Sequence, residues 1–172
     1  CTGYLCPGLS SLLIKRMGLR SDIQQANILG MGCGGALPGL QRTVDYVKSH
    51  PGKLGLLVAV EICSAAYFLD TSLETIVGNA ICADGAAAVL MENGNLSSGP
   101  QIVDFESRIC PEHQDKVGFS QVDGKLRIIL HKDIPEIAGP VSKEVMTLLL
   151  KRNGLGKHDI KYWILHSGGR KV

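Results

Sequence analysis

The sequence predicts an α/β protein, in which strands and helices alternate along the chain. Short apolar runs of strand length are followed by segments with apolar residues at helical spacing. Several of these runs end in glycine-containing turns. The run LGLLVAVEIC at residues 54–63 is almost continuously apolar, which is typical of a strand buried on both faces in the middle of a sheet. Proteins of this class bind ligands at the ends of their strands.

Four helices are predicted, each with apolar residues three or four positions apart on one face. They cover residues 10–17, 35–49, 71–80 and 135–151, and their inner faces are Leu9, Leu12, Leu13 and Ile14; Leu40, Val44 and Val47; Leu73, Ile76, Val77 and Ala80; and Ile137, Val141, Val145, Leu148 and Leu149. Gly18 ends the first helix, and Thr71 or Ser72 caps the third.

Strands are predicted between these helices. They lie at residues 27–30, 54–63, 83–91, where a turn precedes the strand, 101–105, 125–131 and 161–165. The first eight residues are predicted as a loop, and residues 106–123 as a polar, exposed stretch. Residues 92–100 are polar and contain glycine, so they are the best candidate for a linker between two portions of the chain.

Cys33 lies in a glycine cluster between the first predicted strand and the second helix. The N-terminus of a helix favours an anion, so a thiol there should lose its proton more easily. Glycines on both sides would let another molecule approach the sulfur closely. Cys33 is therefore either a nucleophile or a small core residue, since cysteine is among the most buried residue types.

Two other polar residues end apolar runs. His166 follows the last predicted strand and precedes Ser167-Gly168-Gly169, so it is either directed into a cleft or a packed or surface histidine. Glu61 lies near the end of the run at residues 54–63 and is either a structural hydrogen-bond acceptor or a catalytic carboxylate.

The composition excludes several classes. With 172 residues, 45% apolar and 20% charged, the chain is a globular domain or a large piece of a bigger one. A formal charge of +2 is too small to indicate nucleic acid or an anionic membrane as a partner. No apolar segment reaches the roughly 18 residues of a membrane span. Because the chain starts without methionine and stops just after a predicted strand, we expect a fragment.

Six cysteines are present, and no two of them have the C-x-x-C spacing. A zinc site or other metal site is therefore not expected. Most of the cysteines lie in apolar runs, as is typical of reduced thiols, so a cytoplasmic location is predicted.

Five motifs together resemble one family. They are GCGGALPGL around Cys33, VEIC at residues 60–63, VGNAICADGAAAVL at residues 77–90, HKDIP at residues 131–135 and WILHSGG at residues 163–169. In this order they resemble the type III polyketide synthases, the chalcone-synthase-like enzymes of the thiolase fold. The resemblance covers essentially the whole chain.

The resemblance implies a thiolase-like fold layered α-β-α-β-α from two duplicated halves, assembled as a homodimer. This chain would cover the end of the first half, residues 1–93 with the nucleophile, and the start of the second half, residues 94–172 with the catalytic histidine.

The implied activity is decarboxylative condensation of malonyl-CoA on a cysteine-bound acyl or polyketide chain. Cys33 matches the family nucleophile and His166 the family histidine. Malonyl-CoA, with or without a starter acyl-CoA, would be the substrate, and no cofactor is implied. The family's catalytic asparagine comes after Val172 and its basic residues for coenzyme A lie mainly before Cys1, so neither is matched in this sequence.

The resemblance also implies a substrate pocket. The loop at residues 2–8 matches the family loop that reaches the partner's cavity, with Cys6 at its methionine position. Cys82 and Ile128 fall where plant enzymes have two bulky aromatic residues, and Cys63 and Ala66 fall near two plant threonines. The implied substrate-binding residues are Thr2, Cys6, Cys63, Ala66, Cys82 and Ile128.

These departures argue against the aromatic starters of plant enzymes. The tail HSGGRKV has Ser167 where plant enzymes have proline. It is similar to the bacterial 3,5-dihydroxyphenylacetyl-CoA synthase branch, which uses malonyl-CoA alone. Two alternatives stay open: a condensing enzyme like β-ketoacyl-carrier-protein synthase III, and a non-catalytic thiolase-fold dimer partner.

Overall fold

A computed structural model describes residues 6–94, 99–166 and 168. It divides the chain into two compact units. The first comprises Cys1–Ala65 and Asp84–Gly99, and the second comprises Ala66–Ala83 and Pro100–Val172. The division between duplicated halves at residues 93 and 94 stays a prediction.

The described residues of the first unit form two α-helices and one antiparallel pair of strands. These are α1 (Leu9–Met17), α2 (Ala36–Ser49), β1 (Leu54–Glu61) and β2 (Gly85–Glu92). The strands pair in a register that runs from Leu54 opposite Glu92 to Glu61 opposite Gly85. The predicted inner face of α2 is confirmed for Val44 and Val47, which are 7% and 3% exposed.

Helix α2 approaches β1 closely at Gly55, which is buried. A Cβ atom at this position would lie 2.4 Å from Cγ2 of Thr43 and 3.1 Å from Cγ1 of Val47. Both neighbours are β-branched, so their side chains cannot easily rotate away. Glycine is therefore required for the spacing between this helix and this strand.

In the part of the second unit that the structure describes, there are a hairpin and two α-helices. These are α3 (Leu73–Ile81), β3 (Val117–Val122), β4 (Lys125–Leu130) and α4 (Ile134–Arg152). β3 and β4 pair antiparallel through a two-residue turn at Asp123 and Gly124, whose φ angles are 49° and 74°. Positive φ at both positions is the geometry that suits the twist of a tight hairpin.

The structure corrects several predicted strands. Residues 27–30, 101–105 and 161–165 have no strand assignment, because a strand needs a paired neighbour and the described chain supplies none for them. The exposed stretch predicted at residues 106–123 contains β3. β1 is not buried on both faces: within the described residues it pairs only with β2, and several of its residues are exposed.

Two helix faces also differ from the prediction. The predicted inner face of α3 is exposed, because the face carrying Thr75 and Gly78 is the buried one. Leu12 of α1 and Leu148 of α4 are 46% and 45% exposed, while the remaining predicted inner residues of those two helices are half-buried. The described residues contain no helix long and apolar enough to cross a membrane.

Arg152 joins the end of α4 to the segment before β3. Its guanidinium donates to Oδ2 of Asp104 at 2.7 Å and to Oε2 of Glu106 at 2.6 Å. Nδ2 of Asn153 also donates to Oδ2 of Asp104, at 2.7 Å. Hydrogen bonds from Arg152 and Asn153 lower the pKa of Asp104 to about 2.

We predict that Gly55→Ala lowers the stability of the protein by about 1–3 kcal/mol, because the added methyl group overpacks the contact between α2 and β1. Thermal unfolding of the two proteins measures the difference. Gly118→Ala is the matched control, since a Cβ on this strand glycine would have no atom within 4 Å. Equal unfolding midpoints for Gly55→Ala and the wild type would contradict the prediction.

We predict that Asp104→Asn lowers the unfolding midpoint at neutral pH and that this difference shrinks in acid. The folded pKa lies below the ordinary value of 3.8, so the stabilisation is present above that value and is lost as the pH falls toward about 2. Unfolding midpoints at a series of pH values measure this dependence. Asp22→Asn is the control, since Asp22 and Arg20 form an ion pair at 3.6 Å with both side chains more than 70% exposed. If Asp104→Asn lowers the unfolding midpoint by the same amount in acid, the ionised carboxylate of Asp104 is not the source of the stabilisation.

Candidate functional site

Cys33 lies in a tight turn immediately before α2, as predicted. A 3-10 turn spans Gly32–Gly34, and the N–H of Gly35 donates to the carbonyl of Gly32 at 3.1 Å. Gly30 and Gly32 have φ angles of 75° and 55°, a conformation that side chains disfavour. The sharp turn therefore needs these glycines, and it leaves Cys33 exposed.

The environment of this turn suits an anion. Gly35 is the N-cap of α2 and has no side chain to accept hydrogen bonds from the first N–H groups. The first turn of α2 contains no acidic residue, so no side-chain carboxylate within it competes for the positive end of the helix dipole. The turn before α2 can therefore accommodate a negatively charged group of a ligand.

His166 belongs to the second unit, whereas Cys33 belongs to the first. His166 is exposed and follows the irregular segment at residues 161–165, where Ile164 and Leu165 are 97% and 72% exposed. Glu61 ends β1, and its carboxylate accepts a hydrogen bond from the N–H of Ile62 at 3.2 Å, in agreement with the structural interpretation of this residue.

Two predicted pocket residues of the first unit are described. Cys6 is exposed and precedes Pro7 in a cis peptide bond. Cys63 is half-buried and begins the 3-10 turn at Cys63–Ala66 that follows β1. Thr2 lies outside the described residues.

Asp84 holds this turn to the start of β2. Its Oδ1 accepts from the N–H of Ser64 at 2.8 Å, and its Oδ2 accepts from the hydroxyl of Ser64 at 2.7 Å. These hydrogen bonds lower the pKa of Asp84, although the negative charge of Glu61 acts in the opposite direction. The sequence indicated only a turn at Asp84-Gly85 and did not reveal this connection.

The predicted pocket residues of the second unit are Ala66, Cys82 and Ile128, and all three are half-buried. Cys82 is the C-cap of α3, and its N–H donates to the carbonyl of Gly78 at 3.1 Å. A Cβ atom on Gly78 would lie 2.5 Å from Cγ2 of Ile128. The same glycine therefore contacts Ile128 and hydrogen-bonds to Cys82, so the structure links these two residues.

The comparisons with known proteins identify the family. Residues 4–152 match the model of the FAE1/type III polyketide synthase-like proteins. The chain therefore belongs to this family.

Bacterial relatives match nearly the whole chain. It is 37% identical to 3,5-dihydroxyphenylacetyl-CoA synthase of Streptomyces toyocaensis, with 99% of this chain and 46% of the relative covered. It is 32% identical to 1,3,6,8-tetrahydroxynaphthalene synthase of Streptomyces peucetius subsp. caesius, over 99% of this chain and 46% of that enzyme. The chain thus spans about half the length of the curated relatives it matches.

Solved structures agree with this assignment. PKS-I of the brown alga Ectocarpus siliculosus has a TM-score of 0.90 and 31% identity, over 98% of this chain and 46% of that one. The 1,3,6,8-tetrahydroxynaphthalene synthase of Streptomyces coelicolor has a TM-score of 0.85 and 26% identity, over 99% and 49%. These matches confirm the predicted thiolase-like α/β fold and the predicted family.

We predict that Asp84→Asn loosens the turn after β1, because asparagine has one acceptor oxygen where Asp84 uses two to accept the hydrogen bonds from Ser64. Hydrogen exchange followed by mass spectrometry should show faster exchange in peptides covering residues 62–66. Asp115→Asn is the control, since Asp115 is exposed and its ion pair is with the adjacent Lys116, at 3.7 Å. Unchanged exchange in those peptides would show that the carboxylate is not needed to hold the turn.

Proposed function

We propose that the natural full-length protein is a type III polyketide synthase, which condenses malonyl-CoA by decarboxylation onto an acyl or polyketide chain held on Cys33. The observation that carries this proposal is the family match over residues 4–152, which includes the glycine turn with Cys33 at the start of α2.

The first step loads the nucleophile. The thiolate of Cys33 attacks the carbonyl carbon of a coenzyme A thioester, the bond to the coenzyme A sulfur breaks, and the acyl group stays on Sγ. Coenzyme A leaves as its thiolate, which takes a proton from water. The N-terminal end of α2 favours the negative charge before the attack. The exposure of Cys33 in the described chain and the glycines around it are consistent with access for a long thioester.

The second step extends the chain. Malonyl-CoA loses carbon dioxide, and the resulting enolate attacks the thioester carbon on Cys33. A carbon–carbon bond forms, the bond to Sγ breaks, and the thiolate is regenerated. His166 would donate a hydrogen bond to the thioester oxygen of malonyl-CoA, where negative charge develops. Loss of carbon dioxide generates the carbanion, so the cycle needs no redox cofactor or metal.

We further propose that malonyl-CoA alone supplies the carbon of the product. The relatives named 3,5-dihydroxyphenylacetyl-CoA synthase are 36–37% identical to the chain. In addition, Cys82 is a small residue at the position where the family resemblance implies a bulky aromatic side chain in plant enzymes. A homodimer and a cytoplasmic location belong to the same proposal.

We predict that Cys33→Ala reduces polyketide formation by about 1,000-fold or more, because the acyl group then has no nucleophile to hold it. We expect His166→Ala to reduce it by about 100- to 1,000-fold, the range for losing one donor to a developing oxyanion. Products made by the full-length protein from radiolabelled malonyl-CoA, with and without an acyl-CoA starter, measure both effects. Cys110→Ala is the control, since Cys110 is a half-buried thiol outside the proposed machinery.

The same assay separates the alternatives. Product from malonyl-CoA alone supports the malonyl-only branch, and product only with a starter contradicts it. Consumption of malonyl-carrier protein in place of malonyl-CoA would indicate an enzyme like β-ketoacyl-carrier-protein synthase III. No turnover of either substrate would indicate a non-catalytic dimer partner.

A further inference from the structure

A polar cluster fastens the first turn of α3 to β4. Thr75 is 1% exposed and is the polar side chain that the described chain buries most deeply. Nε of Arg127 donates to Oγ1 of Thr75 at 3.3 Å, and Nη2 of Arg127 donates to Oγ of Ser72 at 2.9 Å. Nε of Arg127 also lies 3.1 Å from Oδ2 of Asp70. One guanidinium group from β4 thus contacts three residues at the beginning of α3.

The acceptors are themselves held in place. Oδ1 of Asp70 accepts from the N–H of Ser72 at 2.8 Å and lies 2.7 Å from the Ser72 hydroxyl. The Ser72 hydroxyl also caps α3 by accepting from the N–H of Thr75 at 3.2 Å. The side chains of Arg127 and Asp70 are about 30% exposed, so water screens their attraction less than at an open surface. The cluster is a connected network rather than an isolated surface ion pair.

Helix α3 also contacts β4 at a second point, in the middle of the helix. Gly78 is buried, and the side chain of Ile128, the neighbour of Arg127 on β4, lies against it. Gly78 comes three positions after Thr75, which is about 4.5 Å along a helix, and Cys82 comes four positions after Gly78, which is about 6 Å. If the contact at Thr75 is lost and the helix pivots at Gly78, a shift of ~1 Å at Thr75 moves Cys82 by ~1.3 Å.

We propose that Arg127 is a positioning residue that fixes Cys82 and Ile128 relative to each other and thereby sets the shape of the acyl pocket. The inference rests on the proposed function and on the family resemblance of the sequence, which implies that Cys82 and Ile128 line that pocket. Arg127 holds the start of α3, Ile128 holds its middle, and Cys82 lies at its end. Displacements of about 1 Å at a binding surface are enough to change which substrate or intermediate is accepted.

The test compares Arg127→Met and Arg127→Lys with the wild-type full-length protein. Methionine removes every donor, whereas lysine keeps the charge but cannot donate to both hydroxyls and the carboxylate in the planar geometry of arginine. The measurements are the ratio of polyketide products of different chain length, the KM for malonyl-CoA, and the rate at which iodoacetamide alkylates Cys33. Arg20→Met is the matched control, because its ion pair with Asp22 is exposed and lies at 3.6 Å.

We expect both Arg127 variants to change the product ratio by at least about threefold and to raise KM, with the larger change for methionine. Alkylation of Cys33 should stay within about twofold of the wild-type rate, because the first unit is not altered. Arg20→Met should match the wild type in all three measurements. If Arg127→Met does not fold, Arg127→Lys alone decides the outcome.

Two different results would overturn the inference that Arg127 sets the shape of the acyl pocket. If the wild type turns over malonyl-CoA and the Arg127 variants lose only thermal stability, with an unchanged product ratio and KM, Arg127 is structural. If the wild type itself does not turn over malonyl-CoA, the proposed function fails and this inference fails with it.

Discussion

The close approach of a helix to a strand at a glycine is the constraint on which both units depend. In the first unit, Gly55 of β1 lies against Thr43 and Val47 of α2. In the second, Gly78 of α3 lies against Ile128 of β4. A methyl group at either glycine would meet atoms at 2.4–2.5 Å. The short distance between helix and strand is therefore possible because these two residues have no side chain. The candidate functional residues near these helices depend on that spacing.

A contact at a glycine fixes the distance between a helix and a strand, but the helix can still rotate about that contact. Polar groups restrict this rotation. In the second unit Arg127 joins β4 to Thr75, Ser72 and Asp70 at the start of α3. Several donors and acceptors that are buried or partly buried together hold one arrangement better than a single surface ion pair does. Such networks add directional specificity to apolar packing, which tolerates small slides and rotations.

The sequence predicted the helices well because helical periodicity and capping are local. All four predicted helices exist, and Ser72 caps α3 as expected.

Strands depend on partners distant in sequence, so the predictions of strands at residues 27–30 and 161–165, although these segments are mostly apolar, were wrong. β3 could have been found, because Asp123-Gly124 is a strong hairpin signal. The buried face of α3 could not, since it is formed by Thr75 and Gly78 rather than by its apolar residues. Cys33 was found through its glycine turn, whereas Arg127 had no local signal.

The candidate functional residues share a position in the fold that explains why they are sensitive to distant contacts. Cys33 lies just before α2, Cys63 just after β1, and Cys82 just after α3. A residue at the end of a helix or strand has fewer packed neighbours than one in its middle. Its position is therefore set by how the whole helix or strand packs. A change in how a helix packs, made away from its end, therefore moves the residue at that end. In a family whose members carry the names of synthases for different products, such packing contacts offer a way to change the position of Cys82 while the turn around Cys33 stays the same.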